Sequence, residues 1–157
     1  MIITHEVPEY FIRQVTTSKP PLLFSWNASQ IQEHLILSNS YNLFCLSEEK
    51  LVGFLLSSLL PIENECEAEL FHIEVFPTHQ RGGVATRLIH ALHQKCQNSF
   101  KKTVIYLETA KNNHFAINFY EKMGYKTYNE RKNYYGSNTI APHSNTALLF
   151  SITLDGQ

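Results

Sequence analysis

The stretch QRGGVAT, residues 80–86, joins a strand-like run, EAELFHIEVF (67–76), to an amphipathic run in which Val84, Leu88, Ala91 and Leu92 recur at helical spacing. A strand, a tight turn with paired glycines and a long helix together expose the first-turn backbone N–H groups at the positive end of a helix dipole. Such a terminus suits a phosphate or pyrophosphate. The residues do not spell the GxxxxGK[ST] of a Walker loop. They do not spell the GxGxxG of a dinucleotide site either, because 82–87 read GGVATR. A glycine pair also starts helices for purely conformational reasons, so the turn alone leaves the ligand open.

Outward from this turn the chain reads as alternating short elements, with no repeat, low-complexity tract or linker. Residues 8–17 (PEYFIRQVTT) read as a weak helix that breaks at Pro20 and Pro21. Residues 29–38 (SQIQEHLILS) predict a helix with Ser29 as its cap and Ile31, Leu35 and Ile36 on one face. The apolar runs 41–46 (YNLFCL) and 51–60 (LVGFLLSSLL), joined by SEEK, predict a hairpin. Residues 67–76 form a third strand stopped by Pro77, and 82–97 a helix. TVIYLET (103–109) reads as a buried strand, and FAINFYEKMGY (115–125) as a short helix ended by Gly124 in the left-handed conformation. Residues 126–135 and 146–154 complete the pattern as two strands. This order predicts one mixed α/β domain over residues 1–157.

Bulk properties narrow the function classes. The 157 residues, 43% apolar and 12% aromatic, suffice for one packed core and are unlike a disordered chain. No run approaches the roughly 18 apolar residues of a helical membrane span. The start, MIITHEVPEYF, lacks the basic-then-apolar pattern of a secretory signal, so no membrane partner is expected and a cytoplasmic location is. Cys45, Cys66 and Cys96 are odd in number and in no CxxC pair. They read as buried thiols of a reducing compartment, not as disulfides or zinc ligands. His90 and His93, at i and i+3 with no matching carboxylate, read as the polar face of the 82–97 helix, and no metal site is expected.

Charge is unevenly placed. Residues 1–76 hold ten Glu against three Lys or Arg, and residues 77–157 hold ten Lys or Arg against four acids. Glu63, Glu65, Glu67, Glu69 and Glu74 are a run that either attracts a cationic peptide or amine or is simply a solvated face. The basic excess lacks clustered arginines, so direct nucleic-acid binding is not expected.

Two motifs together carry a resemblance. QRGGVA (80–85) fits [QR]xxGx[GA], the acyl-CoA pyrophosphate loop of the GNAT N-acetyltransferases, and ETAKNNHFAINFYEKMGY (108–125) resembles their second signature with Asn113, Ala116, Tyr120, Gly124 and Tyr125 in register. With FSWNASQIQEHL and ERKNYYG (130–136), residues 22–154 resemble the RimI-like branch, the bacterial ribosomal-protein alanine N-acetyltransferases. The resemblance implies the GNAT acyl-CoA N-acyltransferase fold, an α/β arrangement on a mixed sheet. It also implies acetyl-CoA as co-substrate, no metal, and direct transfer in a ternary complex to the α-amine of a protein N-terminus, a ribosomal protein being the family's acceptor. The same chemistry on a small amine or a lysine side chain stays open, as does acyl-CoA binding without turnover.

The resemblance also implies residue roles. Gln80, Arg81, Gly82, Gly83, Val84, Ala85 and Thr86 surround the pyrophosphate, with 83 and 85 small enough to let it reach the amides. Ile73 and Val75 guide the pantetheine arm. Gly82 replaces a larger residue and should loosen the loop. His72 and Glu74, candidate acceptor contacts, stand where RimI-like enzymes more often have Asn and a small residue, and 137–145 lack the usual acidity.

Amine acetylation needs a neutral amine, and an α-amino group, with a pKa of about 8 against about 10.4 for lysine, is the easier one to deprotonate. Glu108, which interrupts the apolar VIYLET, is the candidate general base, on the expectation that it is buried; a Glu pointing into water is the alternative. Tyr120 is the candidate general acid, or else a core aromatic. Asn113 reads as a helix cap, a pantetheine contact, or both, and Tyr134 as a lining of the amine pocket or a packed strand aromatic.

Overall fold

Two adjacent glutamates make the first turn of the sheet. Glu48 and Glu49 have φ of 49° and 62°, the left-handed pair that a two-residue hairpin turn requires. They join β2 (Ser40–Ser47) to β3 (Lys50–Ile62) in register Ser47↔Lys50. The computed structural model describes residues 1–13, 26–132 and 146–157. Among these are β1 (Ile2–Thr4), α1 (Ala28–Ile36), β2, β3, β4 (Glu65–Val75), a 3₁₀ turn (Pro77–His79), α2 (Val84–Ser99), β5 (Lys102–Ala110), α3 (His114–Lys122), β6 (Lys126–Arg131) and β7 (Ala147–Asp155). The strands form a seven-stranded mixed sheet in the order β1-β2-β3-β4-β5-β7-β6, the architecture the motifs implied. β1 had no sequence counterpart: three residues, antiparallel to β2, are too few to show a period.

The chain divides into two compact units, residues 1–60 with 70–95, and residues 61–69 with 96–157. In the first, Phe11, Phe44 and Phe54 are fully buried and meet edge-on, with ring centroids 4.8 and 4.9 Å from Phe11. Ile31, Leu51 and Leu56 complete this core, and Trp26 and Phe76 pack against it. Each such phenyl ring contributes about 1.5–3 kcal/mol by leaving water. α1 starts one residue before the expected segment because Asn27, not Ser29, caps it. The Asn27 side chain accepts from the Gln30 N–H at 3.0 Å, and the Gln30 side chain returns to the Asn27 N–H at 2.8 Å. Its buried face is Ile31 and His34, whereas Ile36, expected inside, is exposed. His34 is tolerated there because its ring Nε2 meets Asn42 Oδ1 at 2.9 Å. α2 buries Val84, Leu88, Ile89 and Leu92.

In the second unit, β5 pairs along its whole length with β7, from Lys102↔Asp155 to Ala110↔Ala147. β5 is not buried on both sides as TVIYLET suggested. Thr103, Ile105, Leu107 and Thr109 are buried, while Val104, Tyr106, Glu108 and Ala110 are only half-buried. α3 ends at Gly124, whose φ of 90° confirms the left-handed terminator. The chain's last residues are held by Gly156 N–H to the Lys101 carbonyl at 2.8 Å and Gln157 N–H to the Gln97 carbonyl at 3.1 Å.

Candidate functional site

The sequence-selected residues fall into two sets, one on each unit. In the first unit, β4 ends in His72, Ile73, Glu74 and Val75, all half-buried. His72 and Glu74, two apart on a strand, share a face, and His72 Nε2 lies 3.4 Å from Glu74 Oε2. The two departures from the RimI-like pattern thus occur as a pair. The His72 ring also packs on Phe54, centroids 5.6 Å apart.

The turn that follows is fixed locally. The Phe76 carbonyl accepts from the His79 N–H at 2.8 Å, and the Gln80 side-chain amide donates to the Val75 carbonyl at 2.9 Å. Gln80 therefore ties the strand end to the loop. Two residues then take left-handed backbone, Arg81 at φ 62° and Gly83 at φ 77°. Gly82 does not. A Cβ there would sit 3.3 Å from the His79 carbonyl oxygen, a contact that small shifts relieve. The loop's required glycine is therefore Gly83, and Gly82 is not a conformational necessity. Gln80, Arg81, Gly82, Gly83 and Thr86 are exposed, Ala85 is half-buried, and Val84 is anchored in the core.

Three features fit an anion at this turn. A Cβ built on Gly83 would point into open space, no acidic residue lies in the first turn of α2, and the first amides of a helix have no carbonyl a turn behind them. Farther along α2, His93 is half-buried and not on the polar face where it was expected. Burial, and then the nearby His90, push it down to about 4.

The second unit carries the proton-handling candidates. Glu108 was expected to be buried; its side chain is 32% exposed and its carboxylate Oε2 lies 3.6 Å from Arg131 Nη1. The reason is the one-sided burial of β5. Arg131 was not selected from sequence, because a bulge between Thr127 and Asn129 shifts β6 by one residue against β7 and turns Arg131 toward the Glu108 side. The Tyr106 and Tyr128 rings meet nearby at 5.9 Å. Lys111 and Glu130 form a separate exposed pair, 2.8 and 3.0 Å from Nζ to the two carboxylate oxygens. Tyr120 is buried on α3 beside Tyr125 and Phe150, and burial pushes its phenol well above the usual range, so Oη keeps its proton. Asn113 is the N-cap of α3: its Oδ1 accepts from the Ala116 N–H at 3.2 Å. Tyr134 lies outside the described residues. In the acidic run, Glu63, Glu65, Glu67 and Glu69 are exposed, whereas Cys66, Ala68 and Leu70 between them are buried.

Among the described residues no three His, Cys, Asp or Glu side chains group to hold a metal ion, and no helix is long and apolar enough to cross a membrane. Cys45, Cys66 and Cys96 are buried and form no disulfide.

Residues 3–125 match the model of the Acetyltransferase (GNAT) family. Over 87 residues the chain is 29% identical to the catalytic subunit NAA10 of the N-terminal acetyltransferase A complex of Arabidopsis thaliana. That match covers 55% of this chain and 45% of the relative, a little under half its length. Among solved structures, the ribosomal-protein-S18-alanine N-acetyltransferase of Escherichia coli aligns with a TM-score of 0.80 at 19% identity, over 99% of this chain and 95% of that one. Arabidopsis thaliana Naa50, in complex with the bisubstrate analogue CoA-Ac-MVNAL, aligns with a TM-score of 0.74 at 18% identity, over 96% and 97%. At these identities the structural likeness is one of fold.

Proposed function

The chain belongs to the GNAT acetyltransferase family, and on that premise we propose that it transfers the acetyl group of acetyl-CoA to the α-amine of a protein N-terminus. An alanine-starting ribosomal protein is the first acceptor to test. The observation that carries the co-substrate reading is the turn at Arg81 and Gly83, which delivers exposed backbone into the start of α2 with no acid in its first turn. Acetyl-CoA supplies an activated thioester acyl group. The amides of Gln80 to Thr86 hold its pyrophosphate and the backbone of Ile73 and Val75 orients the pantetheine, with Gln80 holding the strand end in place. The acceptor reading is supported by the names of the relatives, which act on N-termini, and by the easier deprotonation of an α-amine.

Glu108 takes a proton from the acceptor nitrogen, its carboxylate oriented by Arg131 at 3.6 Å. Tyr120, kept protonated by burial, holds the proton destined for the departing sulfur at Oη. Asn113 sets the start of the helix that presents Tyr120. His72, Glu74 and Tyr134 are candidate contacts to the acceptor. Three buried thiols in no disulfide suit a reducing, cytoplasmic setting.

The test is turnover of acetyl-CoA with three acceptors: an alanine-starting basic peptide, an N-terminally blocked peptide with an internal lysine, and a polyamine. Turnover confined to the first is expected. Turnover confined to either of the others overturns the acceptor assignment, and CoA binding without turnover on any overturns the enzymatic reading.

A further inference from the structure

The end of β4 carries a carboxylate where packing alone would favour an apolar side chain. Glu74 stands between Ile73 and Val75, and its side chain is 21% exposed, against 16% for that of His72. Taking most of a carboxylate out of water is costly unless a cation or several donors replace the water. Among the described residues the Glu74 side chain has one such partner, His72 Nε2 at 3.4 Å, and no Lys or Arg. A carboxylate accepts about four hydrogen bonds, so the protein itself uses a small part of that capacity. Because the partner is an imidazole, the pair keeps one negative charge whenever the ring is neutral.

Contacts within the first unit fix the side that the pair faces. The His72 ring packs on Phe54, centroids 5.6 Å apart, and Phe54 belongs to the core that Ile31 of α1 completes. No residue of that core is charged. Val75 turns the other way: a Cβ on Gly53 would meet Val75 Cγ2 at 3.4 Å and Val84 Cγ1, at the start of α2, at 2.9 Å. Phe71, one residue before His72, meets Trp26 at 5.4 Å and His34, on the buried face of α1, at 5.3 Å. Phe71 nevertheless remains 38% exposed, so solvent reaches the strand on this side. A negative charge on an apolar, aromatic floor, open to solvent beside it, complements a single primary ammonium ion.

We propose that Glu74 recognises the acceptor through its α-ammonium ion, with His72 the positioning residue that holds the carboxylate. The proposal rests on the acetyl-transfer reading above and adds which group of the acceptor the pair holds. Consecutive Cα atoms are about 3.8 Å apart, so an ammonium ion on Glu74 stands about one side chain's length from the backbone of Ile73 and Val75 that orients the pantetheine. The contact is made on arrival, before Glu108 takes the proton. Glu74 therefore governs acceptor binding, and Glu108 keeps the proton transfer.

The experiment measures, by calorimetry, peptide binding to the full chain saturated with CoA. At about pH 6.5 an α-amine is protonated. Two peptides are compared: an alanine-starting basic peptide, and a copy in which a hydroxyl replaces the α-amino group. The parent is expected to bind the ammonium peptide about ten-fold tighter or more, the worth of a hydrogen bond between charged groups. In Glu74→Gln that ratio should fall to within about two-fold, while the exposed control Glu65→Gln keeps the parent's ratio. His72→Gln, which keeps a nitrogen donor, should retain most of the ratio that His72→Leu loses. Affinity for CoA alone and thermal unfolding report the folding of each variant. Equal binding of the two peptides by the parent, or a ratio that survives Glu74→Gln, overturns the proposal. The ratio does not depend on turnover: a parent that shows it yet acetylates no acceptor would retain the ammonium site and refute acetyl transfer alone.

Discussion

Replacing Gly53 with alanine tests how the fold builds the loop. Gly53 sits in β3, and a Cβ added there would lie 2.8 Å from the Glu74 carbonyl oxygen, 2.9 Å from Val84 Cγ1 and 3.4 Å from Val75 Cγ2. The first two contacts are about half an ångström shorter than packed atoms accept, and neither atom is the free end of a flexible chain. Relief must come from the backbone of β4 or from Val84, the first residue of α2. Overpacking of this kind costs about 1–3 kcal/mol. For a chain of this size each kcal/mol is worth roughly 2–4 °C, so Gly53→Ala should unfold about 2–12 °C below the parent. Because Val84 directly follows Gly83, a shift there also moves the turn, and the KM for acetyl-CoA should rise several-fold while kcat changes little. Gly82→Ala is the internal contrast. It has ordinary backbone and a single 3.3 Å contact, and should be close to neutral. Gly53→Ala with the parent's melting temperature and KM would refute the reasoning.

Other perturbations follow from the same geometry. Glu48 and Glu49 both hold left-handed backbone, so Glu48→Asn with Glu49→Gly should raise stability by about 1–2 kcal/mol in thermal unfolding without changing turnover. His93 is pushed from 6.5 in the unfolded chain down to about 4 in the folded one, so the unfolded state binds the extra proton between these values. Stability should be full above about pH 6.5 and fall as pH drops toward 4, and in His93→Leu the slope of that fall in urea unfolding should flatten. Tyr120→Phe removes only the hydroxyl, and should lower kcat about 10²-fold with a CoA affinity near that of the parent; an unchanged kcat would return Tyr120 to the core alone.

What was legible in the sequence tracks what is local. The hairpin at SEEK, the helix from Val84 and the terminator at Gly124 were readable because each depends on period, turn length or the conformational freedom of one residue. The loop motif was readable because close approach selects small residues, and Gly83, the motif's own glycine, is the one that takes left-handed backbone. The errors have physical sources. Ser29 lost the cap to Asn27 because a reciprocal bond from Gln30 outbid a lone hydroxyl. Ile36 and Leu35 were indistinguishable by period, and a buried His34 bonded to Asn42 took the inner position. Glu108 was placed inside because VIYLET reads as a continuous apolar run, yet half of that run faces a surface lined by tyrosines. Arg131 could not be reached at all: a one-residue bulge in β6 decides which side it faces, and no pattern in KTYNER announces it.

The central claim is that this chain acetylates an N-terminal α-amine. Its most direct test is to incubate the protein with acetyl-CoA and a mixture of alanine-starting peptides, each containing an internal lysine, and to locate the added acetyl group by fragment mass spectrometry. The account predicts one acetyl group on the α-amine, lost in Glu108→Gln. Acetyl found on the lysine side chain alone, or an α-amine product that survives Glu108→Gln undiminished, would contradict it.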